Sequence, residues 1–293
     1  MEFDDVRAFV SVADTGSVSL AARNLNITQP AVTRRLQRLE ASLGTTLLDR
    51  RSRPVMLTGA GQVALERCRR VLQEIREVRA AAAHGKSPSG ELRIGVAHAL
   101  TEITLCEPVG LVRRKFPEVA LRLSSGWSRD LLKRVRAGAL EAAVILLPEG
   151  ESLPAEVAGR EMGKERLVIV ASREDRLKRR RLQDLAGAVW ILNPEGCAAR
   201  ATLRAGLVRA DIDMVVAVET YNYELQLTLV AQNRGLSIVP ERILTRSRLR
   251  SRVQTVRIAG LEFPLTVWMV QRAVQTGFDP IILELGRTLV EKL

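Results

Sequence analysis

The feature that most limits the possible folds is a short segment, His84-Gly-Lys-Ser-Pro-Ser-Gly90, because apolar residues are spaced differently on its two sides. Gly, Pro and Ser in such a run make turns or a hinge, not a helix or strand. Before it, apolar residues recur at intervals of three and four, the period of one face of a helix. After it, short strand-like runs alternate with helical ones, which is the rhythm of βαβ units around a parallel sheet. With 293 residues there is room for two or three domains, each with its own core. The expected fold class is therefore α/β and multidomain.

Residues 1–57 read as three helices and a hairpin. Phe3, Val6, Phe9, Val10 and Ala13 form one buried stripe. Gly16 breaks that helix, and Ser17 caps a short second one with Leu20, Ala21 and Leu25 inward. Thr28 caps a third helix, and Pro30 lies in its first turn, where a missing N–H is tolerated. Val32, Leu36, Leu39 and Leu43 form its inner seam, and Gly44 ends it. Two extended runs, 46–49 and 54–57, flank Arg50, Arg51, Ser52 and Arg53, giving a hairpin with a basic tip.

The outer face of the third helix carries Pro30, Thr33, Arg34, Gln37 and Arg38, with Gln29 at its exposed N-terminal end. An apolar seam behind a polar face is what a recognition helix needs to lie in a major groove. Arg, Gln and Thr can reach base edges or phosphates there. Residues 23 to 53 hold arginines at 23, 34, 35, 38, 50, 51 and 53, opposed only by Glu40 and Asp49. The net charge of +12 fits an acidic partner. The DNA-contact set is Ser17, Arg23, Thr28, Gln29, Pro30, Thr33, Arg34, Arg38, Arg51 and Arg53. For Arg35 and Arg38 the alternative is a salt bridge to Glu40 or to acids of a neighbouring helix.

From Thr58 a long helix is expected to run to about Ala83, roughly 40 Å. Leu65, Cys68, Leu72 and Ile75 follow a 3-4-3 spacing, the seam of a two-helix coil. A second copy is the simplest partner for that seam; the alternative is packing on the helix's own domain.

Enzyme chemistry finds little support. There are two histidines and three dispersed cysteines, Cys68, Cys106 and Cys197, with no CxxC spacing. No GxSxG, HExxH, GxxxxGK[ST] or GxGxxG run is present. No metal or cofactor is expected. Acids in MEFDDVRAFV stand where a signal peptide would be positive, and no apolar run approaches the roughly 20 residues of a membrane span. A cytoplasmic protein without a membrane partner is the expectation. A plain solute-binding module and a ligand-blind architectural DNA binder are the competing classes.

The N-terminal stretch resembles the LysR-type transcription regulators. The resemblance rests on Phe9, Val12-Ala13, Gly16-Ser17, Ala21-Ala22, Leu25 and Thr28-Gln29-Pro30-Ala31-Val32-Thr33. It continues through Leu36, Leu39-Glu40, Leu43-Gly44, Leu47-Leu48, Arg50, Arg53, Leu57-Thr58 and Gly61. It implies a winged helix-turn-helix (1–58), a dimerisation linker helix (59–84), a hinge (85–90) and an effector-binding domain (91–293). The last resembles the two-lobed periplasmic-binding-protein fold, Rossmann-like in each lobe, with lobe I at 91–162 and 267–293 and lobe II at 163–266. It implies that residues matching Gln29, Pro30, Thr33 and Arg34 approach the major groove and that Arg51 to Arg53 reach the minor groove or backbone. Promoter duplex DNA, a homodimer or homotetramer and RNA polymerase are the implied partners. Ligands in open α/β sheets bind beyond the carboxyl ends of strands. That rule selects His98, Thr101, Ser125, Trp127, Ser128, Asn193, Cys197, Tyr221 and Tyr223 as effector contacts, and the basic balance of the C-terminal part favours an anionic effector. Thr101 and Ser128 could instead be helix caps, Trp127 a core residue, His98 a surface residue and Cys197 an idle thiol.

Overall fold

The computed structural model describes residues 1–49, 52, 54–82, 88–101, 106–176, 181–274 and 276–290. The first three helices are α1 (Phe3–Thr15), α2 (Val18–Asn24) and α3 (Gln29–Leu43). Strands β1 (Leu48–Asp49) and β2 (Met56–Leu57) pair antiparallel as the wing. Ser17 Oγ accepts from Leu20 N and Thr28 Oγ1 from Ala31 N, so both hydroxyls satisfy amides that a helix start leaves open. Glu40 Oε1 accepts from Leu47 N at 2.8 Å and Leu48 N at 3.3 Å, which ties the recognition helix to the first wing strand.

Phe9, Val12, Val32, Leu36, Leu39 and Leu47 fill the core of this unit. Two expected inward residues point elsewhere. Leu20 is exposed, because a helix capped at Ser17 turns Ala21 and Ala22 inward instead. Leu43 is exposed because α3 stops one residue later at Gly44, beyond the reach of α1.

Helix α4 (Gly59–Ala82) follows. Leu65, Cys68 and Leu72 are buried in the same core as Phe9 and Leu36, and Ile75 is half-buried. The seam read for a second copy is thus filled from within the chain. Among the described residues, the large apolar side chains that α4 leaves exposed are Val63, Val71 and Val78.

The remainder forms one mixed sheet flanked by helices. Its strands are β3 (Gly90–Ala97), β4 (Val119–Gly126), β5 (Ala142–Pro148), β6 (Val157–Ser172), β7 (Val189–Leu192), β8 (Val215–Glu219), β9 (Leu236–Pro240), β10 (Val253–Val256) and β11 (Phe263–Arg272). The order is β4-β3-β5-β11-β6-β9-β7-β8, with β10 also on β6. Pairing is parallel at the two ends, β3 with β4 and β5, and β7 with β8 and β9. The middle departs from the parallel sheet expected, because β11 runs antiparallel to both β5 and β6. These two long strands carry the chain from one end of the sheet to the other and back. Their register slips between Val267 and Trp268. The helices are α5 (Cys106–Lys115), α6 (Ser128–Arg136), α7 (Ala198–Arg209), α8 (Tyr223–Ala231), α9 (Glu241–Arg246) and α10 (Asp279–Val290).

Helix α4 also touches this second part. Gln73 is buried, and a Cβ placed on Gly138 would lie 3.0 Å from Gln73 Cβ. Gly138 has φ +69, so only glycine meets both the turn after α6 and this approach without strain. Glu74 pairs with Arg272 at the end of β11, 3.0 Å apart.

Candidate nucleic-acid interface and interlobe cleft

On the outer face of α3, Gln29, Pro30, Arg34 and Gln37 are exposed and Thr33 is half-buried. Pro30 at the helix start leaves that end free of a needed N–H, and the Thr28 cap fixes its direction. Arg34 has no ion-pair partner among the described residues, and neither does Arg23. Arg38 differs: its Nη2 lies 2.6 Å and its Nε 3.1 Å from Asp5 Oδ1, with Glu2 3.4 Å away. Its hydrogen bond to Asp5 raises its affinity for the proton. Arg35 donates to Asp4 at 2.9 Å. The alternative role of both arginines, bridging to a neighbouring helix, is therefore realised through α1. Arg51 and Arg53 lie outside the described residues.

The second site lies where the carboxyl ends of β3, β4 and β5 face that of β7, with Leu167 from the middle of β6 and Leu265 of β11 between them. A small cavity of about 50 Å³ is lined there by His98, Trp127, Ser128, Pro148, Cys197 and Tyr223, among others. Three rings meet over it. His98 and Trp127 lie 4.9 Å apart edge to face, His98 and Tyr221 4.9 Å apart, and Trp127 and Tyr221 5.5 Å apart. Both tyrosines of the chain, one of its two histidines and one of its three tryptophans collect here, which concentrates scarce aromatic surface at one point. Gly196, at φ +96, lies under the Trp127 indole: a Cβ there would stand 2.6 Å from Trp127 Cδ1.

Beneath the rings, buried polar groups satisfy one another. Asn193 Nδ2 donates to Tyr223 Oη at 3.0 Å, Gln226 Nε2 donates to Asn193 Oδ1, and Ser237 Oγ donates to Gln226 Oε1 at 2.8 Å. Arg200 donates to Asn193 O and pairs with Glu219 and Glu195. Apart from Arg200 Nε, which is buried without a hydrogen-bond partner, these bonds satisfy the cleft floor and fix it, since unmet buried polar groups are costly. Burial lowers the His98 pKa, so the neutral imidazole is favoured. Burial raises the Cys197 thiol, against partial opposition from the Arg200 and Ala199 amides.

Of the residues expected at this cleft, His98, Trp127, Ser128, Cys197 and Tyr223 line it and Tyr221 covers it. Asn193 lies in the network below and holds Tyr223. Thr101 and Ser125 are not brought to the cavity wall. Thr101 Oγ1 instead donates to His98 O at 2.8 Å, and Ser125 is exposed on β4. Ser128 does not cap α6, which begins at Ser128 itself after Trp127; its Oγ accepts from Leu146 N. Gly196 and the apolar wall of Leu146, Leu147, Leu167 and Leu265 were not legible from sequence. Apolar residues at strand ends carry no signal of which cavity they will line.

Two family profiles match. "Bacterial regulatory helix-turn-helix protein, lysR family" matches residues 3–62, and "LysR substrate binding domain" matches residues 85–276. The chain belongs to the LysR family of transcription regulators. This LysR-type regulator is 30% identical to the HTH-type transcriptional regulator CzcR of Bacillus anthracis over 241 residues, 82% of its own chain and 81% of the relative. Its fold is similar to a full-length OxyR variant from Pseudomonas aeruginosa, with TM-score 0.74, 19% identity and coverage of 100% and 99% of the two chains. It is also similar to full-length CbnR complexed with its target DNA, with TM-score 0.58, 23% identity and full coverage of both chains. The LysR-type regulator is thus a DNA-binding transcription regulator with an effector-binding domain, in a family of regulators and not of enzymes. Among its described residues, no helix is long and apolar enough to cross a membrane.

Proposed function

We propose that this regulator reads promoter DNA with Gln29, Pro30, Thr33 and Arg34, supported by Ser17, Arg23 and Thr28 at the flanking helix starts and by the wing arginines Arg51 and Arg53. An effector bound between two lobes, divided near Met162–Gly163 and Thr266–Val267, changes that reading. The observation that carries the coupling is the placement of α6. The residue that precedes it, Trp127, and its first residue, Ser128, line the cleft, while the turn at its other end, Gly138, rests on Gln73 of α4. A nine-residue helix is a stiff rod of about 13 Å. β11 makes a second link, with Leu265 at the cleft and Arg272 paired to Glu74. Movement of the lobes is thereby passed to the helix that carries the DNA reader. The register slip at Val267 supports placing the lobe boundary there.

The cavity as it stands holds little more than a water molecule or two, so an effector has to part the three rings. The first turns of α6 and α7 face the cleft without side-chain cap hydrogen bonds; that of α6 carries Asp130, whereas that of α7 carries no acid and favours an anion. Two copies join through the exposed Val63, Val71 and Val78 stripe of α4, placing two readers on half-sites about 34 Å or a multiple apart. Pairs of dimers then bend the promoter and present the protein to RNA polymerase.

The test starts from an operator selected out of a random duplex library by the full-length protein. Arg34→Gln should cost about 1 to 3 kcal/mol on that operator. Trp127→Ala, which opens the roof of the cleft, should change operator affinity or bend angle. Unaltered affinity and bend in Trp127→Ala would refute the coupling, while leaving the Arg34 result to judge the DNA face on its own.

A further inference from the structure

The recognition helix carries three arginines, Arg34, Arg35 and Arg38, but two of them are held by acids from the first turn of α1. Asp5 is 1% exposed, and both its oxygens are used. Oδ1 accepts from Arg38 Nε and Nη2, and Oδ2 accepts from the Glu2 amide. If Arg38 swung toward a phosphate, it would leave a buried carboxylate without its counter-charge. The pairing therefore resists competition from DNA better than an exposed ion pair does. Asp4 holds Arg35 in the same way, more openly, and also meets Arg7 at 3.5 Å. Glu2 adds to the acid side of Arg38.

We infer that Asp5 and Asp4 are positioning and specificity-setting residues: they withhold Arg38 and Arg35 from the phosphate backbone and leave Arg34 as the unpaired arginine of α3 among the described residues. Phosphate contact is blind to sequence, whereas base contact is not. Holding two of three cations lowers affinity for every duplex while leaving the contacts of Gln29, Thr33 and Arg34 with a matching site. The same bond orients the helix, because a guanidinium gripped through both Nε and Nη2 fixes the roll of α3 against α1.

Counter-ion release makes this measurable without an operator. Each phosphate contact adds about 0.9 to the slope of log affinity against log salt. Binding of the full-length protein to a duplex of scrambled sequence is followed by fluorescence anisotropy between about 50 and about 200 mM salt. Asp5→Asn should steepen the slope by about 0.9 for each reader engaged, which is about a 3.5-fold larger loss of affinity across that range. The double variant Asp5→Asn/Arg38→Met should return to the starting slope. An unchanged slope in Asp5→Asn overturns the inference. So does a double variant shallower than the parent by about 0.9, since Arg38 would then already sit on a phosphate. Thermal unfolding checks that Asp5→Asn folds. If it does not, Asp4→Asn with Asp4→Asn/Arg35→Met gives the same arithmetic at a half-exposed acid, with the same outcomes deciding.

Discussion

Gly196→Ala is the sharpest probe of the cleft. The new Cβ would stand 2.6 Å from Trp127 Cδ1 and 2.7 Å from Nε1, distances that atoms do not tolerate. The indole cannot slide aside cheaply, because His98 and Tyr221 hold it from two directions. If it swings out, two ring contacts are lost, about 0.5 to 1.5 kcal/mol each. Holding a non-glycine residue at φ +96 adds about 1 to 3 kcal/mol. The sum is about 2 to 6 kcal/mol, a large share of the roughly 5 to 15 kcal/mol of a typical domain. Guanidinium unfolding reads the loss, and acrylamide quenching reads the ring. Trp190 is fully buried and half-buried Trp268 on β11 gives the same background in parent and variant, so quenching added by the substitution reports Trp127. In a Trp127→Leu background the same glycine change should cost only the backbone part. If Gly196→Ala alters neither quenching nor stability, or costs as much without the indole as with it, the packing of Trp127 on Gly196 is not what holds the roof.

Two further outcomes follow from other contacts. Glu40→Ala removes the acceptor for Leu47 N and Leu48 N, so it should destabilise the N-terminal unit by about 1 to 3 kcal/mol and loosen the wing; hydrogen exchange at those two amides checks this. His98 has a folded pKa below its ordinary value, so the unfolded chain binds the proton more readily. The stability it permits is complete above about pH 6.5 and declines as pH falls through that value toward the folded pKa. Thermal unfolding between neutral and mildly acid pH should show this decline in the parent and a flatter profile in His98→Gln; parallel profiles would exclude His98 as the cause.

Elements with a strict period were legible in the sequence. The seam Val32-Leu36-Leu39 and the caps Ser17 and Thr28 locate α2 and α3 because local chemistry alone decides them. Residues 157–166 give no such strand signal. In that half β6 has β11 as its neighbour and a largely exposed outer face, so its Gly, Arg and Glu residues carry no alternation. α4 shows the opposite failure. Leu65, Cys68 and Leu72 announce a partner without saying which one, since a 3-4-3 stripe serves a second copy and the chain's own α1 equally well. At the cleft, loops at strand ends named the aromatic residues, whereas Thr101 closes the turn begun at His98 and Ser125 stands exposed on β4, and neither reaches the cavity. Side-chain direction at a loop depends on packing that one sequence does not display.

The burial of Leu65, Cys68 and Leu72 against α1 bears on how such regulators can be recombined. A reader cut off at Thr58 for transfer to another sensor would leave behind part of its own hydrophobic interior. A chimera joined within the first half of α4 would pair each interior with a stranger's surface. The natural unit of exchange therefore ends past Leu72, where the helix has finished serving the reader and begins to serve the rest of the molecule.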